Sequence, residues 1–164
     1  MKVKYKIIDN FISKKDLKNI NKLVMGKNFP WYFQDQINFK HSKKDNSYYL
    51  THLLYIDDRI NSPYYNFFSP ILNKLKIKSL IRIKVNCYPH TPKIMVHESH
   101  KDYEYKHKGC IFYFNSCNGY TKLKDNTKID SIENRALFFD PSINHQSTSC
   151  TNTKARFNMN INYI

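Results

Sequence analysis

The segment His100-Lys101-Asp102 places an imidazole and a carboxylate two positions apart. Side chains at positions i and i+2 of an extended segment project to the same side, so these two can share one ion. His145 is the natural third ligand, because it lies in a separate strand-like segment, 142–149, directly after an apolar run. Two histidines and one carboxylate that occupy one face of an octahedron suit iron(II) and leave positions open for other ligands. The sequence therefore predicts a metal site at His100, Asp102 and His145.

Arg156 follows His145 by 11 residues (156 − 145 = 11) and is one of few arginines in a lysine-dominated chain. A guanidinium at that place can hold a carboxylate through two parallel hydrogen bonds. Two other roles stay open for it, an exposed cation and a partner of Asp140. The His-x-Asp pair alone is weak support for a metal site, because such pairs arise by chance and usually lie on solvated surfaces.

His97 is an alternative metal ligand to His100. The segment His97-Glu98-Ser99-His100 is superficially similar to a zinc-protease motif, but that motif has two residues between the glutamate and the second histidine. Only one residue stands there in this chain, and its pattern is not helical. His90 and His107 have no comparable context, so solvated or structural roles are expected for them.

The first half of the chain predicts two helices after a short strand, 4–8. Ser13 can cap the first helix, with Asp16 at the capping-box position, and the helix is expected to end near Gly26. A second helix is predicted over 62–75, where apolar residues recur at helical spacing. Between them, the aromatic run 29–33 is expected to pack in the core rather than line a cleft.

The second half of the chain alternates between polar and apolar residues and predicts strands. One strand begins at Leu80, and its polar face carries Arg82, Lys84, Asn86 and Tyr88. A strand over 110–115 leads into Asn118-Gly119, a strong signal for a tight hairpin, and Asp125-Asn126 marks another turn. A buried strand is expected over 135–140. The last strand, 155–164, carries a second polar face, formed by Arg156, Asn158, Asn160 and Asn162.

These elements predict one domain over residues 1–164, mainly β with flanking helices (α+β), built as a sandwich or open barrel with the early helices outside. No segment approaches a membrane span, and the N-terminus has no apolar run of signal-peptide length, so a cytoplasmic protein without membrane partners is expected. The four cysteines show no C-x-x-C pairing, which suits a reducing compartment.

The formal net charge is +14, with 27 lysines and arginines against 13 acidic residues. Clustered cations favour nucleic acid as a partner, whereas a coding bias toward Lys, Asn, Ile and Tyr would produce the same charge without binding. A non-catalytic, lysine-rich barrel that binds nucleic acid and stacks bases on Trp31, Tyr32 and Phe33 is therefore kept as an alternative function.

The ordered motifs resemble the 2-oxoglutarate/iron(II) oxygenase superfamily, especially its small prolyl-hydroxylase-like members of phages and marine bacteria. The resemblance covers nearly the whole chain. Its pieces are the opening strand and helix, Phe29-Pro30-Trp31-Tyr32, 82–89, His100-x-Asp102, 111–115, 118–121, 134–140, His145 and Arg156. Their combination in this order is far more specific than any single piece.

The resemblance implies a double-stranded β-helix (a jelly-roll or cupin-like core) over 80–164, supported by a strand-helix region over 1–79. It implies that His100, Asp102 and His145 bind iron(II) as the catalytic centre and that Arg156 pairs with the distal carboxylate of 2-oxoglutarate. Asn86, Tyr88 and Asn158 are secondary candidates for contact with 2-oxoglutarate, because they match the N-x-Y and R-x-N patterns of some branches. Tyr113 is a further candidate, for which a place in the pocket and a place in the core are equally open.

The activity implied by the resemblance is a dioxygenase that hydroxylates a substrate while 2-oxoglutarate and dioxygen yield succinate and carbon dioxide, with ascorbate as a reductant. A protein side chain such as proline is favoured as substrate, with a nucleobase next, and fold similarity does not choose between them. A third class stays open, a cupin-like metal protein without cosubstrate. For a phage-encoded protein the compartment would be the host cytoplasm.

Overall fold

A computed structural model describes residues 2–35 and 48–164 of the chain. Met1 and residues 36–47, which fall within the predicted support region 1–79, lie outside the described residues. The helices are α1 (Lys14–Val24), a short 3-10 helix (Tyr65–Phe68) and α2 (Ser69–Leu72). The strands are β1 (Tyr5–Ile8), β2 (Tyr32–Gln34), β3 (Tyr49–Ile56), β4 (Arg59–Ile60), β5 (Leu80–Pro89), β6 (Lys108–Tyr113), β7 (Tyr120–Leu123), β8 (Lys128–Asp130), β9 (Arg135–Phe139), β10 (His145–Gln146) and β11 (Ala155–Tyr163).

Two antiparallel sheets face each other. The major sheet has eight strands in the order β1-β9-β6-β11-β5-β3-β2, with β4 paired to β3. The minor sheet has the order β10-β7-β8 and is extended by three isolated bridges, of which one joins His100 to His145. This arrangement is a double-stranded β-helix, so the fold class predicted from the sequence is confirmed.

The outer face of the major sheet packs against the helices. Ser13 caps α1 by accepting a hydrogen bond from the backbone N–H of Asp16, and the apolar side of the helix is buried. Because alternate residues of a strand point to opposite faces, only one set of side chains from each strand joins this core. Its fully buried members include Ile20, Val24, Leu54, Ile83, Val85, Phe112, Met159 and Ile161.

The inner face of the major sheet is polar, as the alternation in β5 and β11 predicted. The antiparallel register places Arg156 opposite Tyr88 and Asn158 opposite Asn86. All four of these residues are at least 94% buried. Polar groups in such a position need partners inside the fold or from a ligand, because water does not reach them.

The helix predicted over 62–75 is wrong in length. The structure instead has the 3-10 helix Tyr65–Phe68 followed by the four-residue helix α2. Pro70 stands at the start of α2, where its missing N–H is tolerated, but the same residue cannot donate within a continuous α-helix from 65 to 72. The first helix ends at Val24, close to the predicted Gly26.

The hairpin predicted at Asn118-Gly119 is also wrong. β6 pairs with β9 and β11 of the major sheet, whereas β7 belongs to the minor sheet, so the chain crosses between sheets here. Neither residue has a positive φ. Asn118 is held by Thr151, whose backbone N–H donates to the Asn118 amide oxygen at 2.9 Å. The turn predicted at Asp125-Asn126 is confirmed, with Asn126 at a φ of 67° between β7 and β8.

Strands β2, β3 and β4 were not predicted. β3 and β4 are joined by Asp57 and Asp58, both at positive φ (52° and 55°), as a tight hairpin turn requires. The residues of the aromatic run 29–33 differ in burial. Phe29 is buried in the core, but Tyr32 and Phe33 are 59% and 62% exposed, contrary to the expected core packing.

Asn134 fastens the loop before α1 to the major sheet. Its side-chain amide exchanges two hydrogen bonds with the backbone of Ile12, at 3.0 and 2.9 Å, and its own φ is 62°. Asn134→Ala should lower the free energy of unfolding by roughly 2–4 kcal/mol, because it orphans two buried backbone groups. Urea unfolding measures this loss. Asn126→Ala is the matched control, since it shares the left-handed backbone on the surface and is expected to cost about 1 kcal/mol; equal losses would contradict the prediction.

Candidate metal centre and anion pocket

The structure brings the three predicted ligands together. The ligand atoms of His100, Asp102 and His145 all lie within 4.8 Å of one another. Two atoms bound to one ion at about 2.0–2.2 Å each lie up to ~4.4 Å apart, so small side-chain adjustments suffice to bind one ion. His100 and His145 are placed by two backbone hydrogen bonds between them, of 3.0 and 2.9 Å, which join the two segments as an isolated antiparallel bridge.

Both imidazoles are oriented by backbone carbonyls. The Nδ1 of His100 lies 3.2 Å from the carbonyl oxygen of Glu98, and the Nδ1 of His145 lies 3.1 Å from that of Ile143. Nδ1 therefore carries the hydrogen on each ring, and Nε2 presents its lone pair to a metal. The Nε2 of His145 is buried without a hydrogen-bond partner among the described residues. A buried nitrogen normally has a partner, so this atom is suited to bind a metal ion.

Asp102 is held at both carboxylate oxygens. Arg82 donates to Oδ1 at 2.9 Å, and the amide of Asn162 donates to Oδ2 at 3.0 Å. The side chain of Asp102 is 5% exposed. Such supporting hydrogen bonds fix the direction of a metal-binding carboxylate.

The charge states of the cluster suit metal binding. Burial, with a contribution from neighbouring His145, lowers the pKa of His100 to about 4, which keeps the imidazole neutral. Burial alone would raise the pKa of Asp102, but the positive charges of Arg82 and its other neighbours outweigh it and hold the pKa below its usual value. A neutral imidazole and an ionised carboxylate are the forms that bind a divalent cation.

Arg156 is fully buried. Its guanidinium donates to the backbone carbonyl of Thr148 at 3.3 Å and to the hydroxyl of Thr121 at 3.1 Å, while its Nε has no partner in residues 2–35 and 48–164. Among the described residues no carboxylate forms an ion pair with it. Both other roles considered for Arg156 are wrong, since Asp140 instead accepts hydrogen bonds from Ser142. A buried cation without a counterion favours an anionic ligand, because its desolvation is otherwise uncompensated.

Gly119 makes room for Arg156. A Cβ at this position would lie 2.5 Å from the carbonyl oxygen of Ser149 and 2.7 Å from Cδ of Arg156. Gly119→Ala is therefore expected to displace the guanidinium and to cost about 1–3 kcal/mol of stability, as overpacking usually does. Urea unfolding of a double-mutant cycle with Arg156→Ala tests the contact. The cost of Gly119→Ala should shrink in the Arg156→Ala background, and strict additivity would contradict the prediction.

The secondary candidates surround Arg156. The rings of Tyr88 and Tyr113 lie 5.4 and 5.5 Å from its guanidinium carbon, and the hydroxyl of Tyr113 donates to Thr121 at 2.8 Å. Burial raises the pKa of both phenols, so each stays a hydrogen-bond donor. The amide of Asn86 donates to Asn158 at 2.9 Å, and the part of the chain that the structure describes offers no partner for the amide oxygen of Asn86.

A narrow cavity contacts both histidines of the metal cluster and Thr121, the hydroxyl partner of Arg156. Asp102 and Arg156 themselves do not line it. The free volume is about 10 Å³, near the room that one water needs. A larger ligand must therefore displace lining side chains. The full lining is Tyr88, His100, Ile111, Thr121, His145, Gln146, Ser147, Asn158 and Asn160.

Sequence reasoning missed the supporting roles of Arg82, Asn162, Thr121 and Lys84. Arg82 and Asn162 hold Asp102. The alternation placed both residues on polar strand faces but did not identify Asp102 as their partner. Lys84 faces the same interior, with its ammonium 3.3 Å from the hydroxyl of Tyr49. Burial lowers the pKa of Lys84 to about 8. Alternation locates the face, but only strand register tells which partner each side chain meets.

His97 lies outside the three-residue cluster. Its Nδ1 is 2.8 Å from the hydroxyl of Ser147, and its ring stacks on Tyr88 at 5.3 Å. These contacts place its ring between Ser147 and Tyr88. His90 is exposed and His107 is buried, with its Nδ1 2.8 Å from the carbonyl of Tyr105, so neither joins the cluster.

The fold and the site together define a class: a double-stranded β-helix with a His-x-Asp…His cluster and a buried arginine in its interior. Solved structures with a similar fold match the chain over nearly its whole length. The viral collagen prolyl hydroxylase vCPH from Paramecium Bursaria Chlorella virus-1 matches with a TM-score of 0.61 and 13% identity, covering 96% of this chain and 94% of the other. A prolyl hydroxylase from Trichoplax adhaerens, solved with a hypoxia inducible factor peptide, matches with a TM-score of 0.62 and 16% identity, covering 98% and 83%.

The third structure has a different reaction. The non-heme alpha ketoglutarate dependent epimerase SnoN from nogalamycin biosynthesis matches with a TM-score of 0.69 and 7% identity, covering 99% of this chain and 78% of the other. No protein-family model and no curated protein matches the sequence. At these identities the likeness shows the fold, and it confirms at that level the resemblance to 2-oxoglutarate/iron(II) oxygenases. The fold alone does not select one reaction.

Proposed function

We propose that this protein is an iron(II)- and 2-oxoglutarate-dependent dioxygenase that hydroxylates its substrate with release of succinate and carbon dioxide. The observation that carries the proposal is a histidine-carboxylate cluster in the same interior as the buried guanidinium of Arg156, for which the described residues supply no counterion. The cavity beside the cluster is also lined by Thr121, which accepts a hydrogen bond from Arg156. Because its free volume is only about 10 Å³, a dicarboxylic acid would displace lining side chains, and it would then have a metal ion for one end and a guanidinium for the other. The similarity in fold to oxygenases of this type supports the same reading.

The residues present fit iron(II). His100, Asp102 and His145 would bind it through two neutral imidazoles and one carboxylate, the ligand set that leaves open positions for cosubstrate and dioxygen. The bound metal supplies dioxygen activation coupled to decarboxylation of the 2-oxo acid. The chain itself fixes the ligands, through the carbonyls behind both imidazoles and through Arg82 and Asn162 behind Asp102.

Arg156 would pair with the distal carboxylate of 2-oxoglutarate. A guanidinium offers a planar pair of N–H groups that matches a carboxylate, and burial strengthens the interaction. The hydroxyl oxygen of Thr121 accepts hydrogen bonds from both Arg156 and Tyr113, so its own hydrogen is available and would add a donor to the same carboxylate. Tyr88 and Asn158 line the cavity and would form the wall along which the cosubstrate lies, and the amide of Asn86 donates to Asn158 beside it.

A protein side chain such as proline is the favoured substrate, and a nucleobase is the next candidate. The first is supported by two neighbours in fold described as prolyl hydroxylases, one of them bound to a peptide. The second rests on the positive charge of the chain. Ascorbate as reductant, a cytoplasmic location, a phage source and the division at residue 79 stay predictions. In the described ranges no helix is long and apolar enough to cross a membrane.

Anaerobic spectroscopy tests the proposed function. Iron(II) and 2-oxoglutarate added together should produce a visible charge-transfer band, and succinate should appear once air is admitted. Omission of either component is the control. Iron binding without a response to 2-oxoglutarate would favour the cupin-like metal protein, and neither a band nor succinate would rule out the oxygenase.

A further inference from the structure

A lysine-rich groove lies on the outer surface of the major sheet, apart from the cavity of the candidate active site. Four lysines line it, Lys6 from β1, Lys74 and Lys76 from the segment after α2, and Lys108 at the start of β6. Its floor is apolar and includes Phe138. The free volume is about 340 Å³, far larger than that of the active-site cavity.

The groove is positively charged without compensation. No acidic residue lines it, and in residues 2–35 and 48–164 no ion pair involves any of its four lysines. Two of the ammonium groups are held over aromatic rings, Lys74 above Phe11 and Lys108 above Tyr163, each 5.7 Å from the ring centroid. Lys74 and Lys108 therefore lie over the aromatic floor, and all four lysines line the same concave surface.

The same charge continues beyond the groove. Exposed Lys74, Lys76 and Lys78 alternate with buried Leu75 and half-buried Ile77, so the three ammonium groups leave the chain on its solvent side. The backbone N–H of Lys78 donates to the carbonyl of the C-terminal Ile164 at 2.9 Å, which keeps this segment against the end of β11. The result is a cationic track rather than a single site.

The track lies at the metal end of the β-helix. Tyr163, in the groove, directly follows Asn162, whose side chain donates to Asp102 from the opposite face of β11. Lys108 is paired with Tyr163 in the β6–β11 register. A ligand in the groove would therefore lie at the same rim as the candidate metal centre.

We propose that this groove binds the backbone of single-stranded nucleic acid. Lysines act as point charges that neutralise phosphates in any sequence and release their counterions. An apolar, partly aromatic floor between the charges suits the sugar and base faces of an unpaired strand, which a double helix keeps turned inward. An acidic peptide offers the charges but no flat faces for the floor. On this proposal, four of the lysines that make up the +14 net charge have a binding function at one place on the surface.

Fluorescence anisotropy of a short labelled oligothymidylate tests the proposal with the full chain. The variant Lys74→Gln/Lys76→Gln/Lys108→Gln should bind at least ~10-fold more weakly at about 0.15 M salt, and its log–log salt slope should be shallower by about 2, near 0.7 for each lost phosphate contact. The control variant Lys15→Gln/Lys27→Gln/Lys124→Gln has the same net charge and changes exposed lysines outside the groove. It should stay within about two-fold of the unmodified protein.

Three outcomes would overturn the proposal. They are the absence of oligothymidylate binding, an equal loss in both variants, and displacement of the oligonucleotide by oligoaspartate of equal charge as effectively as by unlabelled oligonucleotide. An equal loss in both variants would mean that binding depends on charge distributed over the whole surface. Displacement by oligoaspartate would mean that the groove binds any polyanion. The test is independent of the oxygenase, because no groove lysine contacts the metal cluster or Arg156. The far-ultraviolet circular dichroism spectrum of each variant reports that its fold is intact.

Discussion

Asp102→Ala is expected to lower the rate of succinate formation from 2-oxoglutarate by more than about 100-fold. Loss of a residue that only supports a metal ligand costs up to about 100-fold, and loss of a ligand itself should cost more. Asp102 is the only carboxylate in the cluster, and its loss removes the negative charge that two neutral imidazoles cannot replace. Iron(II) affinity should fall in parallel. Anaerobic titration calorimetry measures the affinity, and succinate analysis measures the rate.

Asp102→Asn distinguishes the effect of the carboxylate charge on metal binding from an effect on folding. Its amide keeps the size of the side chain and an acceptor for Arg82 or Asn162, so the fold should survive while metal binding is lost. Asp140→Asn is the matched control, because Asp140 bonds to Ser142 outside the cluster and should retain activity. Full iron affinity in the folded Asp102→Asn protein would refute the role assigned to Asp102, and full activity of His97→Gln would dismiss His97 as the alternative ligand.

Arg156→Met is expected to raise KM for 2-oxoglutarate by roughly 30-fold or more, since removing one partner of a buried charged pair costs about 2–5 kcal/mol. Iron(II) affinity should change little, because Arg156 is not one of the three residues of the metal cluster. The KM of Arg156→Lys should lie between those of the unmodified protein and Arg156→Met, because lysine keeps the charge but lacks the planar pair of donors. Steady-state succinate formation against 2-oxoglutarate concentration gives the KM values.

Arg135→Met is the control for Arg156→Met. Arg135 pairs with Asp9 through contacts of 2.6 and 3.0 Å at the surface, so its loss should leave KM unchanged. An unchanged KM in a folded Arg156→Met protein would contradict the carboxylate role. A loss of iron affinity equal to that of Asp102→Ala would instead mean that Arg156 supports the metal centre.

The sequence by itself determined the polar faces of β5 and β11 and the pairing of His100 with Asp102. These features are local, because the direction of a side chain along a strand repeats every two residues whatever the strand pairs with. The same periodicity placed Arg156 and Asn158 on one face. Ordered motifs then predicted the class of fold that the structure and its neighbours confirm.

Only the tertiary structure decided which distant segments meet. The bridge between His100 and His145, the support of Asp102 by Arg82 and Asn162, and the placing of Gly119 beside Arg156 all depend on strand register across long stretches of chain. A register is chosen by the packing of the whole sheet, and a shift of one residue would turn every side chain to the other face. The failed hairpin at Asn118-Gly119 has the same cause, because its local turn signal was overridden by the crossing from one sheet to the other.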